Sequence, residues 1–185
     1  MIIKEAEIEQ KIWTWLEQVV IGLNLCPFAN KPHRNKQIKV LLSDANEPQQ
    51  FLDDLAHAFG LLANTDAKTL DTVLFATPDL FADFMDFNDA LDWADALLAE
   101  QDWYGVYQIA SFHPHYQFAG TDPEDDENLT NRAPYPIFHL IREESMNRAL
   151  DSYPDHDKIP ERNIARVSAL TNTEKKHLFS YLYKD

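Results

Sequence analysis

Glycine, cysteine and basic charge are all scarce in this sequence, and each shortage removes a class of function. The four glycines, Gly22, Gly60, Gly105 and Gly120, never fall into the spacing of a dinucleotide-binding turn or a P-loop, where the backbone must approach phosphate closely. No GxSxG elbow, CxxC pair or HExxH helix motif occurs, which excludes the commonest hydrolase, redox and zinc-protease signatures. The single cysteine, Cys26, has no internal disulfide partner. Together with a mixed, charged start that lacks a cleavable apolar segment, this predicts a reducing, cytoplasmic location. Basic residues number 16 against 31 acidic ones, a net charge of −15. A field of that sign repels polyanions, so neither nucleic acid nor an anionic membrane surface is an expected partner. No apolar run approaches the roughly 18 residues of a membrane span.

What is present reads as one globular α/β domain over residues 1–185. Hydrophobic residues make up 45% and aromatics 12%, well above the composition of disordered chains. Ile8, Ile12, Trp15, Val19 and Leu23 recur at spacings of three and four, predicting an amphipathic helix that stops near Gly22 and Asn24. The 36–43 stretch, with Ile38, Val40, Leu41 and Leu42, reads as a strand. Asn46 is an expected N-cap, with Pro48 in the first turn of a helix through Phe51, Leu55, Phe59 and Leu62. The plan repeats with a strand over 72–76. A cap at Thr77-Pro78-Asp79 is then expected to open a helix carrying Leu80, Phe84, Phe87, Leu91, Ala94 and Leu98. Residues 104–112 and 136–141 are the third and fourth strand candidates. Helices follow from about residue 143, after Pro160, and after Thr171, where Glu174 completes a capping box. The expected architecture is a two- or three-layer sandwich, a mostly parallel or mixed sheet of about four strands with flanking helices.

The span 112–135 has no helical or strand period and exceeds the roughly 12 to 15 residues of ordinary loops. Its aromatics and prolines predict an ordered loop over the carboxyl ends of the strands, where open α/β sheets bind ligands. Candidate chemistry concentrates between residues 111 and 144. His113 and His139 are acid–base candidates, with Glu143 beside them. Arg132 and Arg142 could form a fork for carboxylate or phosphate. Tyr116, Asn131 and Tyr135, with Asn24 from the end of the first helix, complete a candidate binding set. Cys26 is a nucleophile candidate if a nearby imidazole or cation holds its thiolate, although a lone cysteine among apolar neighbours is ordinarily a small buried hydrophobe. Against these stand plainer readings: histidines and asparagines that order the loop, and Arg142 paired with Glu143 or Glu144.

Three strings carry a family resemblance: Val20-Ile21-Gly22-Leu23-Asn24-Leu25-Cys26-Pro27-Phe28-Ala29, Gln108-Ile109-Ala110-Ser111-Phe112-His113-Pro114, and Asn131-Arg132-Ala133-Pro134-Tyr135-Pro136 followed by His139-Leu140-Ile141-Arg142-Glu143. They resemble hallmark stretches of the bacterial domain-of-unknown-function family numbered 1415. The resemblance implies a bacterial protein, favours His113 over His115 as a ligand, and carries over no activity, cofactor or catalytic residue. Three functional expectations follow from the residues. One is a small enzyme that holds a compact anionic metabolite in an Arg/His pocket, with Cys26 as nucleophile. Another is a metal-binding protein or metal-dependent enzyme using His113 and His139, with Asp126 as a further ligand. The third is a non-catalytic protein-binding module that presents the 112–135 loop. The sequence names no cofactor and no oligomeric state.

Overall fold

The computed structural model describes residues 2–183. Four strands form one mixed sheet in the order β1-β2-β4-β3, with β1 at Ile38–Leu42, β2 at Thr72–Ala76, β3 at Tyr107–Phe112 and β4 at Ile137–Arg142. β1 and β2 are parallel and joined through a helix, as parallel neighbours require. β4 returns through a loop and enters antiparallel between β2 and β3. The sheet is therefore the mixed alternative of the two expected.

Alternation of side chains gives the sheet two apolar faces. Val73, Phe75, Phe138 and Leu140 pack with α3 (Pro48–Ala63) and α4 (Phe84–Glu100). Val40, Leu74, Ala76 and Ile137 pack with α1 (Ile2–Trp15) and with Val167 and Phe179 from the C-terminal part. Helices on both faces make three layers. The short α2 (Asn30–Arg34) precedes β1, and α5 (Glu143–Asp151), α6 (Ile159–Ser168) and α7 (Asn172–Leu178) follow β4.

Helix starts differ in two places from expectation. Pro48 opens α3, but the residue before it in extended backbone is Glu47, so Asn46 does not cap it. α4 begins at Phe84 instead of near Leu80, because Asp83 is the working cap: its Oδ1 accepts from the Met85 and Asp86 amides at 2.8 and 3.3 Å. Ahead of it Phe81 has a φ of 61°, which no helix accommodates. The Thr171–Glu174 capping box of α7 is present as expected.

α1 runs into a wide π turn over Leu16–Ile21. There the Gly22 amide donates to Glu17, five residues back, at 3.0 Å. Asn24 then takes a left-handed φ of 56°, and the Val20 carbonyl receives both the Leu25 and Cys26 amides, at 2.9 and 3.4 Å. This tight reversal aims the 25–29 segment back over the sheet. Gly22 is required for it: a Cβ there would lie 2.3 Å from the Gln18 carbonyl oxygen, a rigid backbone neighbour. Gly22→Ala should therefore cost about 1–3 kcal/mol, read as a lowered melting temperature. An unchanged melting temperature would show that the π turn relaxes freely.

Candidate functional site

A cleft of about 860 Å³ opens on the α1 face of the sheet. Its floor is Ile38, Thr72, Leu74, Ala110, His139 and Ile141; Leu25 to Ala29 and Trp15 form one wall, and Met146, Ala149 and Tyr153 another. Ile38, Thr72 and Gln108 are at or near the starts of β1, β2 and β3. The cleft thus lies over the amino ends of these strands, opposite the end where the long loop was expected to mark a site. A smaller hollow of about 450 Å³ does lie at the carboxyl ends, bordered by Asp83, His115, Glu124, Arg132 and Tyr183.

His139 is the polar residue in the centre of the cleft floor. Its cross-strand neighbours are Leu74 and Ala110, and the small Ala110 leaves open space beside the imidazole. Thr72 Oγ1 lies 2.7 Å from His139 Nε2 and 2.6 Å from the Leu140 carbonyl oxygen. A carbonyl can only accept, so the one hydroxyl proton goes to Leu140, and the hydroxyl oxygen must take a proton from Nε2–H. The ring is thereby fixed as the Nε2-protonated tautomer. Deep burial lowers its pKa to about 4, so it is neutral at pH 7, while the cleft still reaches part of the ring.

Cys26 lies in the opposing wall. Burial raises its thiol pKa, only partly offset by the Phe28 and Ala29 amides directed at sulfur. No hydrogen bond joins it to His139 among the described residues. It enters the cleft as a neutral thiol.

At the mouth, the charged residues are Lys31, Lys68 and Arg148 with the carboxylate of Asp71, and Glu144 pairs with Arg148, so the excess positive charge there is that of the two lysines. Ser145 links two of these: Arg148 Nη2 donates to Ser145 Oγ at 3.1 Å and Ser145 donates to Asp71 Oδ1 at 2.5 Å. The 25–29 wall is held by Asn163, which donates to the Leu25 carbonyl at 2.7 Å, and the two walls meet where Phe28 packs edge-on against Tyr153.

The remaining sequence candidates do not converge here. His113 is fully buried against Phe84 and Phe87. Its Nε2 bonds the Phe81 carbonyl at 2.9 Å and its Nδ1 accepts the His115 amide at 3.0 Å, so neither nitrogen is free for acid–base work or a metal. Arg132 donates to the Tyr116 and Pro123 carbonyls at 3.2 and 2.6 Å, and its own carbonyl accepts from Trp15 and Tyr181. Arg142 points to the other face of the sheet, where it donates to the Leu62, Thr65 and Leu70 carbonyls and lies over Tyr107. It pairs with neither Glu143 nor Glu144; Glu144 instead pairs with Arg148. The Glu143 amide bonds the Val106 carbonyl and the residue does not line the cleft. Asn131 Nδ2 bonds the Ser111 carbonyl, Tyr116 packs on Phe84, Tyr135 receives Lys11 at 3.5 Å, and Asn24 is exposed in its turn. Asp126 is paired with Lys175 at 2.5 Å, apart from both histidines. Among the described residues, no three of His, Cys, Asp and Glu are grouped to hold a metal.

Sequence reading missed Thr72, Ser145, Arg148 and the two mouth lysines. Thr72 carried one usable signal: it faces the same side as His139 once β2 and β4 pair.

A family model described as protein of unknown function (DUF1415) matches residues 7–177. No curated protein and no solved structure matches the chain.

The two buried imidazoles set a pH dependence. Folded His113 and His139 both titrate below their ordinary 6.5, so the unfolded chain binds protons first as pH falls. The stability present above about pH 6.5 is lost progressively toward pH 4. For His139 the loss reaches about 3 kcal/mol, at 1.36 kcal/mol per pKa unit. His139→Leu should remove much of the drop in melting temperature between pH 7 and 5, whereas an undiminished drop would show that His139 is not the titrating group.

Proposed function

The chain belongs to this DUF1415 family, and on that footing we propose that it binds a small organic acid with a largely apolar body in the cleft on the α1 face of the sheet. The observation that carries this reading is the pair of exposed lysines lining the mouth, Lys31 and Lys68, in a chain of net charge −15; the third cation there, Arg148, is already matched by Glu144. Such local concentration has no structural role to explain it for Lys31 and Lys68, which make no ion pair among the described residues. The cleft's size lies within the range of small-molecule pockets, about 300–1,000 Å³. All three strings of the family resemblance contribute to it: residues 25–29 the wall, Gln108, Ala110 and Phe112 one side of the floor, and His139 and Ile141 its centre.

This reading keeps the anionic small molecule expected from the sequence and moves its site. Arg132 and Arg142 are committed to backbone carbonyls, so the charge of the ligand is met at the mouth. Binding is better supported than nucleophilic attack, because among the described residues Cys26 has no base or cation bonded to its sulfur, and burial favours its protonated form. The 112–135 loop is a weaker protein-contact surface. Asn128, fully buried, bonds Phe118, Thr121 and Asp122, which folds the loop onto itself.

The test is a thermal-shift and calorimetric screen of aryl and alkyl carboxylates. Wild type should be stabilised by a subset. Ala110→Leu, which fills the floor, should abolish the shift. Lys31→Glu with Lys68→Glu should weaken binding about tenfold, each exposed charge contributing up to about 1 kcal/mol. No stabilisation by any acid, or equal stabilisation of Ala110→Leu, would remove the reading.

A further inference from the structure

The wiring of His139 says what the inner end of that ligand must be. This step rests on the cleft being the binding site and goes on to assign the polarity of its occupant. Nε2–H is spent on Thr72, whose own proton is spent on the Leu140 carbonyl. Nδ1 then keeps a lone pair and has no hydrogen-bond partner among the described residues. It is not sealed either: among the described residues the only unpartnered side-chain polar atom wholly shut off from solvent is Thr77 Oγ1, and the His139 ring borders the cleft. We propose that Nδ1 is a fixed hydrogen-bond acceptor at the floor of the cleft, so that the ligand is an organic acid bearing an N–H or O–H donor at the end remote from its carboxylate.

The floor supports this orientation in two further ways. Leu74, Ala110, Phe112 and Ile141 surround the imidazole, and a carboxylate set among them would lose its hydration with no cation to replace it. The cations stand at the mouth. An amphipathic acid therefore enters with its anionic end outward and its neutral donor inward. A group that can only accept meets a lone pair there and leaves the buried nitrogen unpaired, the situation in which polar sites discriminate most strongly between near-isosteric ligands. A hydroxyaryl or indolyl alkanoic acid has the required shape: a flat apolar body, a carboxylate at one end and a phenolic O–H or ring N–H at the other.

Matched pairs test it: para-hydroxyphenylpropionate against its methyl ether, and indole-3-propionate against its N-methyl derivative, titrated into the full chain by calorimetry. The donor-bearing member should bind at least about tenfold more tightly, and the ratio should collapse to about one in His139→Phe. Thr72→Val should shrink the ratio as well, by freeing the tautomer, an effect that loss of packing alone would not produce. In parallel, nitrogen-15 NMR of the free protein at neutral pH should show Nε2 protonated and Nδ1 unprotonated in His139. Equal binding within each pair, with Ala110→Leu abolishing both, would overturn the donor assignment while leaving the cleft as the binding site. No binding by either member, with no other acid bound, would remove the cleft and this inference together. A proton on Nδ1 in the free protein would overturn it whatever binds.

Discussion

β4 is bonded along both of its edges, to β2 on one side and β3 on the other, and the alternation of its side chains partitions the molecule. Phe138, Leu140 and Arg142 face α3 and α4, while Ile137, His139 and Ile141 face α1 and the cleft. The strand is held so completely that neither set can exchange with the other without breaking two ladders. His139, the one polar residue on that face of β4, is thus fixed on the cleft floor beside Thr72. Arg142, three positions on, is placed where its guanidinium ties the end of α3 and the 65–70 turn to the sheet.

The same strand needs a connection from β3, and that connection accounts for most of the polar density that marks the sequence. The 113–136 loop buries Asn128 completely and turns Arg132 onto two of its own carbonyls. His113 reaches across to the Phe81 carbonyl, which binds this loop to the segment before α4. Trp15 and Tyr181 both donate to the carbonyl of Arg132, so α1 and the C-terminal segment are anchored on the loop as well. Long irregular backbone can be buried only if each of its polar groups finds a partner. The side chains that look catalytic are largely those partners.

The fold was readable in the sequence because its elements announce themselves by period: the strand at 72–76, the apolar series of α3 and, from Phe84 onward, that of α4 stand where the spacing places them. The order of the strands was less so, since β4 belongs between β2 and β3 through pairing that no local pattern encodes. Parity could have gone further. His139 and Arg142 are an odd number of residues apart on one strand and so must face opposite ways, which already forbids the fork expected from Arg132 and Arg142 with His139. Cys26 and His139 share the cleft because the π turn and Gly22 bend the chain back, a geometry with no signature beyond the glycine itself. Thr72 looked like an ordinary β-branched strand residue. Its part in orienting an imidazole exists only through the register of β2 against β4.

The reversal of sign at the cleft mouth has a kinetic side. An anion approaching from beyond a Debye length, about 8 Å at physiological ionic strength, meets the field of the whole acidic chain before that of Lys31 and Lys68. The long-range field turns it away and the short-range field draws it in. Added salt screens the first more effectively than the second, because the repelling charges are spread over the surface and the attracting ones lie at the point of entry. Capture of the proposed acid would then be slowest in dilute buffer and quicken with moderate salt, the reverse of what electrostatic steering does for a uniformly basic site. For the acid proposed here, the molecule's acidity would act as a filter on arrival, separate from how tightly the acid is held.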